Sequence, residues 1–240
     1  TERLLHIKGY VIDSHTGEKI PEVSIYDQRT LTAGITNPFG FFDIRIDKAS
    51  PVNNIVFNKK NFRDTTVVVQ GGREQFITIS MVPDVPVLPD TLWEEPEAIE
   101  VSQPEISAET TIEEPVPEKK SKAGQKIKKI KEWLVNMENI KDTLYRDFQV
   151  SYVPFIGTNH ALSGNVINDY SFNIIGGFSL GTRKLEMGGI FNMDKGDVGK
   201  VQIAGTFNMV GGNVSGVQAA GVFNANKGYV SATQLSGVIN

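Results

Sequence analysis

The chain has 240 residues, a net charge of −4 and no Cys. A chain of this length accommodates one or two domains, and the absence of Cys excludes disulfides, Cys-ligated zinc and thiol catalysis. The acidic balance gives no argument for nucleic-acid binding, and no apolar run approaches the ~20 residues that a membrane-spanning helix needs. Because the first residue is Thr1 and not Met, we expect a processed or trimmed N-terminus.

Residues 1–83 have the pattern of a small β domain. Short alternating segments rich in β-branched and aromatic residues are separated by turn residues every 8–12 positions, as at Gly17 and Gly40. This pattern predicts six or seven short strands in an antiparallel sandwich.

Three motifs in this region carry a family resemblance. They are Gly9, Val11, Asp13, Thr16-Gly17, Ile20-Pro21 and Val23, then Thr36-Asn37, Gly40, Phe42 and Ile44, then Val56-Phe57, Lys59-Lys60 and Phe62. The combination resembles the carboxypeptidase-regulatory-like domain, a seven-stranded immunoglobulin-like fold that often heads outer-membrane proteins of Bacteroidota. Asn61 stands where that family usually has Gly, and we expect it to keep the turn because Asn tolerates a left-handed conformation.

We expect no enzyme activity, no cofactor and no metal site in this chain. For the first domain, the resemblance implies that zinc ligands and a catalytic Glu are absent. His6 and His15 lie nine residues apart, and no His-Glu-x-x-His motif accompanies them. We interpret both as structural residues of a strand and a turn. Asp13 and Asp43 are likewise interpreted as turn and strand-end residues.

Residues 84–118 and 119–147 differ sharply in charge. The first segment is acidic and rich in Pro, which predicts a disordered, extended spacer. The second contains a cationic run and apolar residues at intervals of three and four, which predicts an amphipathic helix over residues 121–145.

Three roles are open for this helix. It could pack on the following region as a cap, or lie on an anionic membrane with its Lys side chains outward. Nucleic-acid binding is disfavoured because no aromatic or Arg residue is interleaved with the lysines. The candidate membrane or partner contacts are Lys126, Lys128, Lys129, Trp133, Leu134 and Met137.

Residues 148–240 comprise an entry segment, 148–180, interpreted as a β-hairpin, and a 16-residue repeat over 181–240. The repeat has a Gly column and an Asn column that recur without slippage: Gly189, Gly205, Gly221 and Gly237, then Asn192, Asn208, Asn224 and Asn240. A fixed period of this kind indicates stacked units that are individually too small to bury an apolar face.

Two architectures fit the repeat. In a β-solenoid, Phe191, Phe207 and Phe223 would stack inside, and the amides of Asn192, Asn208 and Asn224 would pair from coil to coil. In an outer-membrane barrel, each unit would be one strand and one turn, paired antiparallel with the next. Identical columns favour the solenoid for residues 181–240, while a barrel hairpin stays open for residues 148–180.

The repeats also resemble the Gly-Leu-Phe-Asn type of surface repeat in bacterial envelope proteins, which can precede an outer-membrane barrel. Because the array stops at Asn240 within a unit, we expect the natural chain or its assembly to continue. The predicted fold is therefore mostly β: an immunoglobulin-like sandwich, a disordered linker, one amphipathic helix and a solenoid-like repeat.

The predicted function is that of a non-catalytic scaffold or accessory subunit at the outer membrane, with the first domain in the periplasm. Its expected partners are other envelope proteins and the membrane, without nucleic acid. Two alternatives are open: the N-terminal part of a TonB-dependent-like transporter, and a carbohydrate-binding solenoid.

Overall fold

The computed structural model describes residues 4–47, 52–70, 74–84 and 122–240. Most of the described residues lie in strands, so the prediction of a mostly β protein is confirmed. The predicted linker, residues 84–118, lies outside the described residues apart from Asp84.

Seven strands form the first region. They are β1 (Leu4–Asp13), β2 (Ser24–Asp27), β3 (Ala33–Ile35), β4 (Phe41–Asp47), β5 (Val52–Asn58), β6 (Thr65–Gln70) and β7 (Glu74–Met81). One sheet has the order β4-β1-β7 and the other β3-β2-β5-β6. Alternation along β1 points Leu5, Ile7 and Val11 into a core that both sheets share with Phe42 and Phe57. Asn61 adopts a φ of 66°, as its position in a turn requires.

Helix α1 (Lys122–Asn139) is shorter than the predicted helix, which extended to residue 145. Its last residue, Asn139, donates its side-chain amide to the Glu22 carbonyl at 2.7 Å and to Ser24 Oγ at 3.2 Å. These bonds fix the end of the helix against the first region. Leu144, expected on the helix, instead begins a strand.

Eleven strands and one 3₁₀ helix follow. They are β8 (Leu144–Val153), β9 (Ile156–Gly157), the 3₁₀ helix (His160–Asn165), β10 (Val166–Asn173), β11 (Gly176–Ser179), β12 (Gly181–Gly188), β13 (Phe191–Asp194), β14 (Val201–Ala204), β15 (Phe207–Val210), β16 (Val214–Ala220), β17 (Phe223–Asn226) and β18 (Val230–Ser236). They form two sheets, β18-β16-β14-β12-β10-β8-β9 and β11-β13-β15-β17. Neither sheet closes into a barrel.

The strands of this repeat region stack in parallel, coil upon coil. Phe191 lies opposite Phe207, which lies opposite Phe223, and Gln202 lies opposite Gln218. Since parallel pairing at a 16-residue offset brings like residues together, it accounts for the identical columns. The antiparallel strand-and-turn arrangement is not formed by these residues.

The entry segment also differs from its prediction as a hairpin. Strand β8 is antiparallel only to the two-residue strand β9, whereas its long partner β10 is parallel to it. Residues 148–180 are therefore early coils of the stack, with corners of different length. The 3₁₀ helix after β9 supplies the longer connection that a parallel return requires.

The first region and the repeat region share a second apolar core. Tyr26 and Leu31 pack there with Ile140, Leu144 and Leu162. The Arg146 guanidinium donates to the carbonyls of two further residues, Gln28 at 2.6 Å and Arg29 at 2.8 Å. The two regions are thus in direct contact.

Candidate functional site: the polar interior and apolar exterior of the repeat region

The coils of the repeat region bury polar side chains and turn apolar ones outward. The prediction that Phe191, Phe207 and Phe223 lie inside is wrong, because these rings are partly exposed on the outer face. The polar side chains buried inside include Glu186, Asn192, Asp194, Gln202, Asn208, Gln218 and Asn224. Beside them lies a small apolar cluster of Val198, Val210 and Val214.

A narrow interior explains this inversion. A Cβ built on Gly188 would lie 2.3 Å from Asn192 Oδ1, so the space inside a coil leaves no room for aromatic rings. An amide fits and also bonds the backbone of the next coil: Asn192 Nδ2 donates to the Ile203 carbonyl, and Asn208 Nδ2 to the Ala219 carbonyl, both at 2.8 Å. The inward Asn therefore ties adjacent coils together.

Two amide ladders run along the stack. Each Asn also donates to the Asn one coil further on, with N···O distances of 3.0 Å from Asn192, 2.9 Å from Asn208 and 2.6 Å from Asn224. The Gln ladder parallels it: Gln218 Nε2 donates to Gln202 Oε1 at 2.8 Å. Such chains of dipoles strengthen each bond in a low-dielectric interior.

One buried carboxyl pair interrupts the amide columns. Gln202 Nε2 donates to Glu186 Oε2 and to Asp194 Oδ2, both at 2.8 Å, and Ser179 Oγ donates to Asp194 Oδ1 at 2.6 Å. Burial, followed by the charge and hydrogen bond of Glu186, raises the pKa of the Asp194 carboxyl well above its ordinary value. Sequence reasoning missed this pair, although Glu186 stands alone in a column whose later members are all Gln.

The outer faces carry an aromatic stack. Phe191 and Phe207 have ring centroids 5.2 Å apart with an interplanar angle of 5°, and Phe207 and Phe223 are 5.1 Å apart at 2°. Nearby outward side chains are also apolar and exposed: Met187, Ile190, Ile203, Met209, Val217, Val222 and Leu235. Exposed apolar side chains in this number mark an interaction surface.

Exposed charge after residue 186 is confined to one edge of the stack. The short corners that join the two sheets, residues 189–190, 205–206, 221–222 and 237–238, carry no charged residue. The long corners on the opposite edge are residues 195–200, 211–213 and 227–229. They hold every exposed charge of residues 187–240, namely Lys195, Asp197, Lys200 and Lys227.

The residues of helix α1 that were predicted to contact a membrane or partner fall into two groups: some pack on the repeat region and others are exposed. The Trp133 ring stacks on Phe155 with centroids 4.2 Å apart, and Met137 lies beside Gly164. Both therefore contact the repeat region. The remaining described side chains, Lys128, Lys129 and Leu134, are exposed, and the Lys126 side chain lies outside the described residues.

A polar cleft of about 510 Å³ lies where the two regions meet, lined by residues 27–29, 53–54 and 142–146. Several of the polar side chains that line it have partners within the protein, among them Asp27, Asn53 and Arg146. Tyr26 Oη donates to Asp142 Oδ2 at 3.2 Å, and burial together with the charge of Asp142 raises the Tyr26 pKa. The groups around the cleft therefore join the two regions.

His6 and His15 both make hydrogen bonds to neighbouring residues of the first region. His6 lies between the strands that flank β1, with a hydrogen bond to Asp43 and a 3.8 Å approach to Glu74. The backbone N–H of His15 donates to Asp13 within a turn. Within the described ranges, no three His, Asp or Glu side chains are placed to share a metal ion. The described helices also include none with the length and apolar character to cross a membrane.

No protein-family model and no curated protein matches this chain. Among solved structures, it is similar to a type II cohesin-X-dockerin complex from Acetivibrio cellulolyticus (15% identity, TM-score 0.30, 36% of this chain and 63% of that chain). It is also similar to a 9R-lipoxygenase from Cyanothece PCC8801 (16% identity, TM-score 0.25, 37% of this chain and 18% of that chain). The matched part of this protein thus spans less than two thirds of the length of either solved structure's chain.

Proposed function

We propose that this protein is a non-catalytic scaffold of a bacterial cell envelope, built from an immunoglobulin-like sandwich and a β-solenoid. The sandwich lies in the periplasm, and the solenoid associates with the outer membrane as part of a larger assembly. The carboxypeptidase-regulatory-like motifs and the Gly-Leu-Phe-Asn-type repeats support the envelope location.

One observation carries this proposal: an apolar exterior covers a stack whose polar groups are bonded inside. The buried amides of Asn192, Asn208 and Gln218 are held by neighbouring coils and are not available to a substrate. The groups presented outward are hydrocarbon and aromatic rings, which bind surfaces without performing chemistry.

The contact between the two regions supports a scaffold in particular. Tyr26 and Leu31 of the sandwich pack on Leu162 and Val166 of the first coils, and helix α1 lies against both regions. A surface bound by the solenoid is therefore held at a fixed position relative to the sandwich. A fixed arrangement of the two regions suits a subunit that positions other proteins.

Fractionation of cells that carry the tagged full chain tests the proposal. We expect the protein in the outer-membrane fraction, released by detergent, together with envelope proteins in fixed stoichiometry. Recovery as a soluble monomer would contradict the membrane association. Detergent release without any stoichiometric companion would contradict the role as a subunit.

A further inference from the structure

The cross-section of a repeat coil is amphipathic. Its short-corner edge presents Ile190, 47% exposed, and Val222, 38% exposed, while its long-corner edge presents Lys195, Lys200 and Lys227. Between the edges, most outward side chains of both sheets are apolar, although Ser215, Ser231 and Thr233 are exposed polar residues of β16 and β18. Apolar and cationic surfaces on opposite sides are the arrangement of proteins that lie in a membrane interface.

We infer that the short corners insert into the hydrocarbon of a lipid bilayer while the long corners stay at its anionic headgroups, an inference that rests on the membrane association proposed above. A mostly apolar surface extends over both sheet faces and the edge between them. Fluid acyl chains can wrap such a surface, whereas a folded partner contacts one side of it. Three Lys and one Asp on the opposite edge give the positive balance that anionic headgroups attract.

The backbone of the short corners is suited to an apolar surrounding. Backbone N–H groups pair from coil to coil: Thr206 donates to the Ile190 carbonyl at 2.7 Å, Val222 to Thr206 at 2.8 Å and Val238 to Val222 at 3.0 Å. Hydrocarbon excludes unpaired peptide groups, and these N–H groups are already satisfied. The corner can therefore enter lipid without leaving these donors unpaired.

The dimensions of a coil also fit one leaflet. The four residues of β14 extend over roughly 13 Å at ~3.3 Å per residue. One leaflet contributes about half of the ~30 Å hydrocarbon core of a bilayer. A coil inserted by its short corner would thus reach toward the bilayer centre without spanning it.

Because the chain contains no Cys, a single introduced thiol can be labelled at either edge. Val222→Cys places an environment-sensitive NBD fluorophore at a short corner, and the matched Ser215→Cys places it on the exposed surface beside a long corner. Each labelled full chain is mixed with vesicles of phosphatidylethanolamine and phosphatidylglycerol, and vesicle sedimentation is measured in parallel. We expect a blue shift and several-fold brighter emission at position 222, with little change at position 215.

The unlabelled variant Ile190→Gln/Val222→Gln supplies the second measurement, since neutral polar residues at exposed positions leave the buried ladders intact. We expect its partition into the vesicles to fall by roughly tenfold or more for the lost apolar contact. Circular dichroism identical to that of the parent chain shows that folding is unaffected. The control Lys227→Gln should lower the partition less, and only at low salt.

Any of the following three outcomes would overturn the inference. Sedimentation with vesicles but no response at position 222 would leave membrane association standing and place the contact elsewhere, for example on α1. Absence of sedimentation would contradict the proposed membrane association itself. A blue shift at position 222 without vesicles, increasing with protein concentration, would show that a second copy of the chain covers the short corners.

Discussion

At the scale of single residues, Glu186 is the exception in its column. The same position in the next three coils is occupied by Gln202, Gln218 and Gln234, whose amides both donate and accept. An ionised Glu only accepts, and here it lies beside the buried Asp194. Either the pair of carboxyl groups is therefore protonated, or two like charges lie close together in a low-dielectric interior.

This arrangement predicts that stability declines as pH rises. The folded-state pKa of Asp194 is raised above its unfolded value, so its stabilising contribution is complete below the unfolded pKa. That contribution is lost as pH rises through the folded pKa. Glu186→Gln removes the like charge and should stabilise the protein by about 1–3 kcal/mol at pH 8, with a flatter pH profile. Urea unfolding at a series of pH values measures both effects.

The reverse substitution in a neutral coil is the matched control. Gln218→Glu places a carboxylate beside Asn226, and we expect it to destabilise the protein at pH 8 by about 2–4 kcal/mol, with partial recovery at low pH. Equal pH profiles for the parent chain and Glu186→Gln would contradict the assignment of the pair.

At the scale of elements, the Asn ladder connects coils that share little apolar core. Asn208 accepts from Asn192 and donates to both Asn224 and the Ala219 carbonyl. We expect Asn208→Ala to cost about 2–4 kcal/mol, because it leaves buried polar partners unsatisfied. Chemical denaturation measures the loss. At the end of the ladder Asn240→Ala should cost no more than about 1 kcal/mol, since Asn240 is exposed and bonds one neighbour.

Helix α1 packs on the entry coils through an aromatic contact, among others. Trp133 stacks on Phe155, which in turn lies 5.1 Å from the Phe178 ring. We expect Trp133→Ala to destabilise the protein by about 2–3 kcal/mol and to expose the helix to limited proteolysis. Leu134→Ala alters a side chain that is 58% exposed and should change stability by less than about 0.5 kcal/mol. Equal protease sensitivity of the two variants would argue against the packing of α1 on the entry coils.

The repeat region shows what periodicity can and cannot predict. The 16-residue columns predict which residues stack, because parallel coils bring like positions together. Alternation along Val201 to Ala204 separates two faces but does not say which one is inside. The narrow interior decides this, and it depends on how closely the two sheets approach at residues such as Gly188.

The end of α1 and the contact between the two regions could not be predicted from the sequence for a different reason. Asn139 bonds Glu22, and Tyr26 bonds Asp142, across separations of 117 and 116 residues. No local pattern indicates such partners. The apolar spacing near Leu144 favours a continued helix, and tertiary packing places that side chain in the shared core instead.

At the scale of the whole molecule, stability should scale with the number of coils. Each central coil contacts only the coils before and after it, as Val201 does through Leu185 and Val217. The first region and the entry coils form one end of this stack and share a core that includes Ile140, the residue after α1. In such an array the total free energy of unfolding is close to a sum over coils and their interfaces.

Deleting one whole period tests this description of the molecule. Removal of residues 201–216 joins Lys200 to Val217, which restores the Gln, Gly and Asn columns in register. We expect a folded chain with unchanged spectral shape and a smaller denaturant m-value, because less surface is exposed on unfolding. Removal of residues 201–208 is the matched control. It deletes half a period, places Met209 opposite Leu185 and should prevent the repeat region from folding. If both deletions unfolded the chain equally, the coils could not be the independent stacking units of this fold.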